Sequence, residues 1–409
     1  MSTTDIRPRH IPADGAQPTP PPADPRETMA VLPSFLQRRL TVFTGKPLEG
    51  QAPMGWTPTF HLLSAVAAIA TGVAVSALGW ALGGWYLMLL LAGWAVTLHG
   101  MRNLRMMIYH QCSHRNMYRR RKLDTVIGRA TSSLLIIQNF ERYSREHVSD
   151  HHAAHHMTLR DPTVQAFLVS LGLSPTMTAR QMWRRLLGKL LSPRFHFAFA
   201  VSRVRSFWSK SSRAEKVTAV LLYGVAVGGT VVTGTWAAFL AVWVVPLLPL
   251  FQVSNTLRLC VKHTFPVAGT EVRRGRDYFA SLTNAIFMGE PTPSRSLRPL
   301  RRTLAWTRWT LRMLFVHAPA RYLVLTGDTV VHDYHHRYPS SREWHDYLFA
   351  RQRDIAAGHK GWPEYREVWG LAPAITCVFD SLATADADEY DVKRLHAVSK
   401  RELFAAFDD

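Results

Sequence analysis

Cysteine is nearly absent from this chain: 3 among 409 residues, with no C-x-x-C pair. That excludes a disulfide-stapled scaffold and argues against a zinc ribbon or a dithiol redox site. Acidic residues are also scarce, 29 Asp+Glu against 49 Lys+Arg. Charged residues of both signs reach only 19%, where a soluble domain carries about 25%. The shortage is local. Residues 51–101 contain no Asp, Glu, Lys or Arg, and neither do residues 217–257. A hydrocarbon core about 30 Å thick needs about 20 apolar residues per helical crossing, so each stretch is long enough for two. A water-soluble globule is a poor fit.

The basic excess has two readings. A sequence pI near 10.4 fits nucleic acid, but no nucleic-acid module is visible, and none is expected as a partner. In a membrane chain the same charge marks cytoplasmic segments. Residues 102–216 hold 21 Lys+Arg against 6 acids, and this segment and both termini are expected on that side. The predicted fold is all-α and integral to the membrane, with spans at about 60–80, 84–104, 217–234 and 236–257. They pair as two hairpins with short uncharged turns, at Gly79, Gly83 and Gly84 and at Gly228, Gly229 and Gly234. A cytoplasmic helical cap carries the histidines discussed below.

Residues 1–30 are rich in proline and read as a disordered tail without the pattern of a signal peptide. Residues 31–339 form the membrane domain and residues 340–409 a helical cytoplasmic extension. Residues 182–208 mix apolar side chains with Arg184, Arg185, Lys189, Arg194, Arg203 and Arg205. A helix in the headgroup layer reads this way, and so does one with a single buried face. Residues 298–312 have the same character.

The 19 histidines cluster. His110 and His114 are spaced i,i+4. His147, His151 and His152 are followed by His155 and His156, and His332, His335 and His336 stand at i, i+3 and i+4. Each spacing lets one helix aim two or three nitrogens at a common point. One i,i+4 pair is commonplace; three clusters outside the apolar stretches point to metal. Eight imidazoles exceed the capacity of one ion and suit two. Zinc is disfavoured by the absence of H-E-x-x-H and of cysteine ligands, and imidazole also suits iron.

These residues resemble the histidine boxes of the membrane fatty acid desaturase superfamily, H-x(3,4)-H, H-x(2,3)-H-H and H-x(2)-H-H. Asp161-Pro162 follows the second box and Tyr338-Pro339 the third, as in that family, and the order of spans and boxes agrees. The likeness covers residues 60–339. It implies a di-iron centre with dioxygen as co-substrate and with ligands His110, His114, His147, His151, His152, His332, His335 and His336. His263 is carried over as a ninth ligand from an Arg-x(3)-Glu-His pattern in which Lys262 here replaces the acid. A competing frame for the second box, His152/His155/His156, would bring in His155 and His156. Asp150, Asp161 and Asp333, along with Glu146, are candidates to orient imidazoles through their other nitrogen. His99 reads as a packed or capped histidine.

The implied reaction is desaturation of a fatty acyl chain carried as acyl lipid, acyl-carrier protein or acyl-CoA. Electrons come from an external ferredoxin, rubredoxin or cytochrome, since no cofactor motif for internal transfer is present. A di-iron hydroxylase or ketolase acting on an alkane, sterol or carotenoid uses the same ligands. A metal transporter is the non-enzyme alternative, although transporters place ligands near the bilayer midplane. The expected location is a bacterial inner membrane, with termini and metal site cytoplasmic.

Overall fold

The computed structural model describes residues 24–148, 156–270 and 275–395. Four helices are long and apolar enough to cross a membrane: Pro58–Leu82, Gly84–Ser113, Arg213–Val232 and Trp236–Lys262. They are called spans 1 to 4. Span 1 starts where Thr57 accepts from Phe60 N and Pro58 supplies a fixed φ. Span 3 starts on a capping box of Ser212 and Glu215. Glu215 also accepts from Asn139 Nδ2 and Phe140 N, so this buried acid is fully engaged.

Spans 1 and 2 pack antiparallel through a seam of small residues. A Cβ on Gly72 would lie 2.4 Å from Thr97 N, one on Gly93 2.1 Å from Ser76 Oγ, and one on Gly100 2.6 Å from Ala65 O. The buried face of span 1 runs Ala65, Ile69, Gly72, Ser76, Gly79, a spacing of four and three that keeps one side toward the neighbour. Between membrane helices the hydrophobic effect supplies no drive, so close backbone contact has to. Leucines and valines on the other faces point outward: Leu63, Leu78, Leu91, Leu221, Val225 and Val231 are all exposed. An apolar exterior over a small-residue interior is what a lipid solvent selects.

Spans 2 and 4 are longer than expected, 30 and 27 residues, because the helix runs on past the last apolar turn. Span 2 passes through a π-helical stretch, Leu104–Tyr109, before His110–Ser113. Span 4 passes through π turns at Leu240–Val244 and Pro246–Leu250. Pro249 lacks an N–H, and the wider turn accommodates it without ending the helix. The overrun of about 10 residues, roughly 15 Å at 1.5 Å per residue, carries the first box beyond the length a bilayer needs.

The expectation of one amphipathic helix over 182–208 is corrected: the chain forms two, Ala179–Leu190 and Pro193–Lys210, broken where Ser192 caps the second. The tail is also shorter than composition implied. Pro25–Thr28 is helical, and Arg26 and Met29 are buried. Arg26 donates to Lys46 O (3.1 Å), Gln37 Oε1 (2.8 Å) and Gln37 O (3.0 Å), a tertiary gain that local composition does not reveal. The only strands among the described residues, Ala285–Phe287 and Glu367–Trp369, pair in parallel. Their pairing closes the intervening stretch, which includes the third histidine cluster, into a loop tied at its ends.

Candidate metal centre

The three histidine clusters come together. Donor atoms of His110, His114, His147 and His335 lie within 4.8 Å of one another, and so do those of His263, His332 and His336. Within the first group, Nε2 of His110 and Nε2 of His147 are 2.8 Å apart. Within the second, His332 Nε2 is 3.1 Å from His336 Nε2 and 3.4 Å from His263 Nε2. Such separations allow one ring to donate to another. They also fit donors on a shared ion, since nitrogens about 2.1 Å from one metal sit about 3.0–3.4 Å apart. Seven imidazoles converging in this way form a donor set suited to two transition-metal ions. All but His114 are buried.

The helix His332–Arg337 explains how one short motif serves both groups. His332 and His336, four apart, lie on one face and enter the second group; His335 is turned toward the first. His335 and His110 have ring centroids 4.3 Å apart. His263 sits where span 4 ends: its backbone leaves the helix with φ −140° and ψ 143°. His156 adjoins the second group, 4.6 Å from His263 and 5.0 Å from His336 between ring centroids. Its ring therefore stands beside the second group, whose three donor residues do not include it. Asp150, His151, His152 and His155 lie outside the described residues.

The described carboxylates near the clusters have several partners. Asp161 caps the Pro162–Gln165 helix through Thr163 N and accepts from Met157 N, both at 2.8 Å, while its Oδ2 is 3.8 Å from His156 Nδ1. Glu146 takes bonds from Gln138 and Arg142. Asp333 binds Arg351, with Oδ2 3.1 Å from NH2. Burial pushes the Asp333 carboxyl up, and Arg351 draws it back. For Arg351 burial opposes the charge, but Asp333 and Glu367 outweigh it and its pKa is raised. Arg351 NH1 also meets Glu367 at 3.0 Å, and Glu367 and Asp24 both hold Lys46. The third box is therefore braced by a line of alternating charges reaching the start of the described chain.

Several contributors were not picked out in the sequence. Tyr143 stacks on His147 with centroids 5.0 Å apart and planes at 15°, and carries the Arg105 guanidinium 4.2 Å from its own ring. Its i−4 position relative to His147 was a usable signal. Asp328 had none. It is buried in the 3-10 turn Gly327–Val331 before the third box, accepts from Gln111 Nε2 at 3.4 Å, and is pushed by burial to a pKa of about 7. His99 is packed as expected, its Nδ1 2.8 Å from Tyr322 O.

No curated protein and no solved structure gives a significant match to this chain. A family model does: the fatty acid desaturase model matches residues 92–369, more than half the chain. The match begins at residue 92, inside the 60–339 likeness, and runs past 339 to take in Arg351 and Glu367. With the three histidine clusters inside the matched region, the chain belongs to the fatty acid desaturase family.

Proposed function

We propose that this protein is a membrane di-iron desaturase that introduces a double bond into a fatty acyl chain, using dioxygen and electrons from an external carrier. The observation that carries the reading is the convergence of seven imidazoles into two adjoining groups at and beyond the ends of spans 2 and 4. His110, His114, His147 and His335 would hold one iron. His263, His332 and His336 would hold the other, with His156 as its fourth neighbour and His151 or His152 as further ligands. Bound iron supplies the oxidant needed to take hydrogen from an unactivated C–H bond, which no side-chain acid or base can do.

The chain's own residues bind and orient. Neutral imidazoles accept the ions without adding charge. Tyr143 fixes the ring of His147 by stacking, and Arg351 fixes the third-box helix through Asp333. Burial of the donors keeps water from the reacting centre. In this reading the spans pair as two hairpins, and the excess of Lys and Arg between spans 2 and 3 supports a cytoplasmic side, in a bacterial inner membrane, for the boxes, the cap and both termini. The acyl chain arrives on a lipid, acyl-carrier protein or acyl-CoA, and the donor is a ferredoxin, rubredoxin or cytochrome. A transporter reading is disfavoured because the donor groups lie past the apolar turns.

Lipid profiling of cells with and without the chain tests this. New unsaturated acyl groups that depend on the chain support desaturation. Products that gain oxygen without losing hydrogen would assign hydroxylation instead, and metal flux without dioxygen consumption would assign transport.

A further inference from the structure

Residues 291–327 contain seven arginines and no Asp or Glu. Within them lies the helix Pro299–Arg312, none of whose residues is fully buried. Its two long sides differ. Ala305, Trp306, Trp309 and Arg312 are partly covered, with Trp309 Nε1 donating to Glu290 O at 3.0 Å and Arg312 paired with the Glu290 carboxylate. On the opposite side, Leu300, Leu304 and Leu311 are 74%, 61% and 49% exposed. Their spacing of four and seven, with Thr307 between, makes one straight stripe. Arg301 and Arg308 are spaced to flank that stripe, and Arg295, Arg298 and Arg302 stand near the helix start. All five are exposed, and none has an ion-pair partner among the described residues.

The continuation of the chain fixes the level at which this face lies. After the helix, Leu314, Phe315 and Val316 are exposed in succession, Phe315 at 73%. The next turn, Ala320–Val324, is anchored inside the spans: Tyr322 O to His99 Nδ1 of span 2, and Leu323 O to Ser254 Oγ of span 4. His99 is about 20 Å of helix before Ser113 at 1.5 Å per residue. The segment thus dips alongside the membrane helices, and the Pro299–Arg312 helix leads into it from the basic side. A leucine stripe beside unpaired arginines at that level matches a helix lying in the plane of the interface.

We propose that the outward face of the Pro299–Arg312 helix, together with Leu314, Phe315 and Val316, is seated in the bilayer interface and recognises anionic lipid headgroups through Arg301 and Arg308. The leucines enter the acyl region, and the arginines meet phosphates at the rim. This stands apart from the assignment of the reaction, since it uses none of the histidines of the candidate metal centre.

The test uses the full chain in nanodiscs of phosphatidylcholine alone or with added phosphatidylglycerol. Cys377→Ser leaves only the buried Cys112 and Cys260, and a nitroxide is attached at Leu304→Cys, at Leu311→Cys or, as a solvent reference, at Arg342→Cys. Labels at 304 and 311 should collide preferentially with oxygen and the reference label with a water-soluble nickel chelate. Native mass spectrometry should show retained phosphatidylglycerol. The double variant Arg301→Gln, Arg308→Gln should lower the preference over phosphatidylcholine by on the order of 25-fold, about fivefold per charge. Labels open to nickel, or shielded from both relaxants as at a protein interface, would overturn the proposal. So would oxygen-favoured labels with no effect of anionic lipid or of the arginines.

Discussion

His335 and His336 are consecutive in the chain, yet they serve different groups: their ring centroids are 5.8 Å apart and their planes cross at 83°. One helical step divides the donors of the two proposed ions. Replacing His335 by Ala should therefore remove mainly the ion shared with His110, and replacing His336 the ion shared with His263. Elemental analysis of the purified variants should find about one iron per chain instead of about two, since each site loses one ligand of a small set. Activity should vanish in both. Two irons retained in either variant would contradict the division.

Arg351 and Asp333 form a buried pair, each with a side-chain exposure of 2%. Arg351→Met should lower stability by about 3–5 kcal/mol, because the carboxylate stays buried without its partner. Adding Asp333→Asn should restore part of that loss. Unfolding monitored in detergent micelles provides the comparison, and equal stability of the single variant and the parent would show that the pair does not brace the box.

Gly93 tests the seam between spans 1 and 2. A Cβ there meets Ser76 Oγ at 2.1 Å and Gly72 O at 2.7 Å. Gly93→Val should force the helices apart and reduce the yield of folded, monodisperse protein several-fold, while Gly228→Val, with no atom near the new Cβ, should leave it unchanged. Size-exclusion profiles of both variants would show the contrast.

Asp328 predicts a pH dependence in metal-free protein. Its folded pKa is about 7, and an unfolded Asp titrates near 3.9. Between these values the folded state holds a proton that the unfolded state has released, so this group's contribution to stability falls as pH rises from about 4 to about 7, then levels off. Asp328→Asn should flatten that slope and raise the melting temperature at pH 8. A parent protein whose melting temperature does not decline across this range would count against the buried carboxyl.

The spans and the boxes were legible for the same reason: each depends on spacing along one helix. Charge-free runs located four helices, and i, i+3, i+4 histidines located the faces that converge. Distance along the chain hid the rest. Arg26, Lys46 and Glu367 look like surface charges until three remote segments are folded together. The second histidine run was ambiguous because five histidines over ten residues offer overlapping frames. His147, at one end, belongs to the first group, and the ring of His156, at the other, lies beside His263 of the second.

The line from Asp24 through Lys46, Glu367 and Arg351 to Asp333 makes the leading end of the described chain a mechanical lever on the third histidine cluster. A fusion partner or protease acting just ahead of Asp24 would load that lever directly. An insertion at the turn between spans 1 and 2, where Gly83 and Gly84 have open space around them, would have no such purchase.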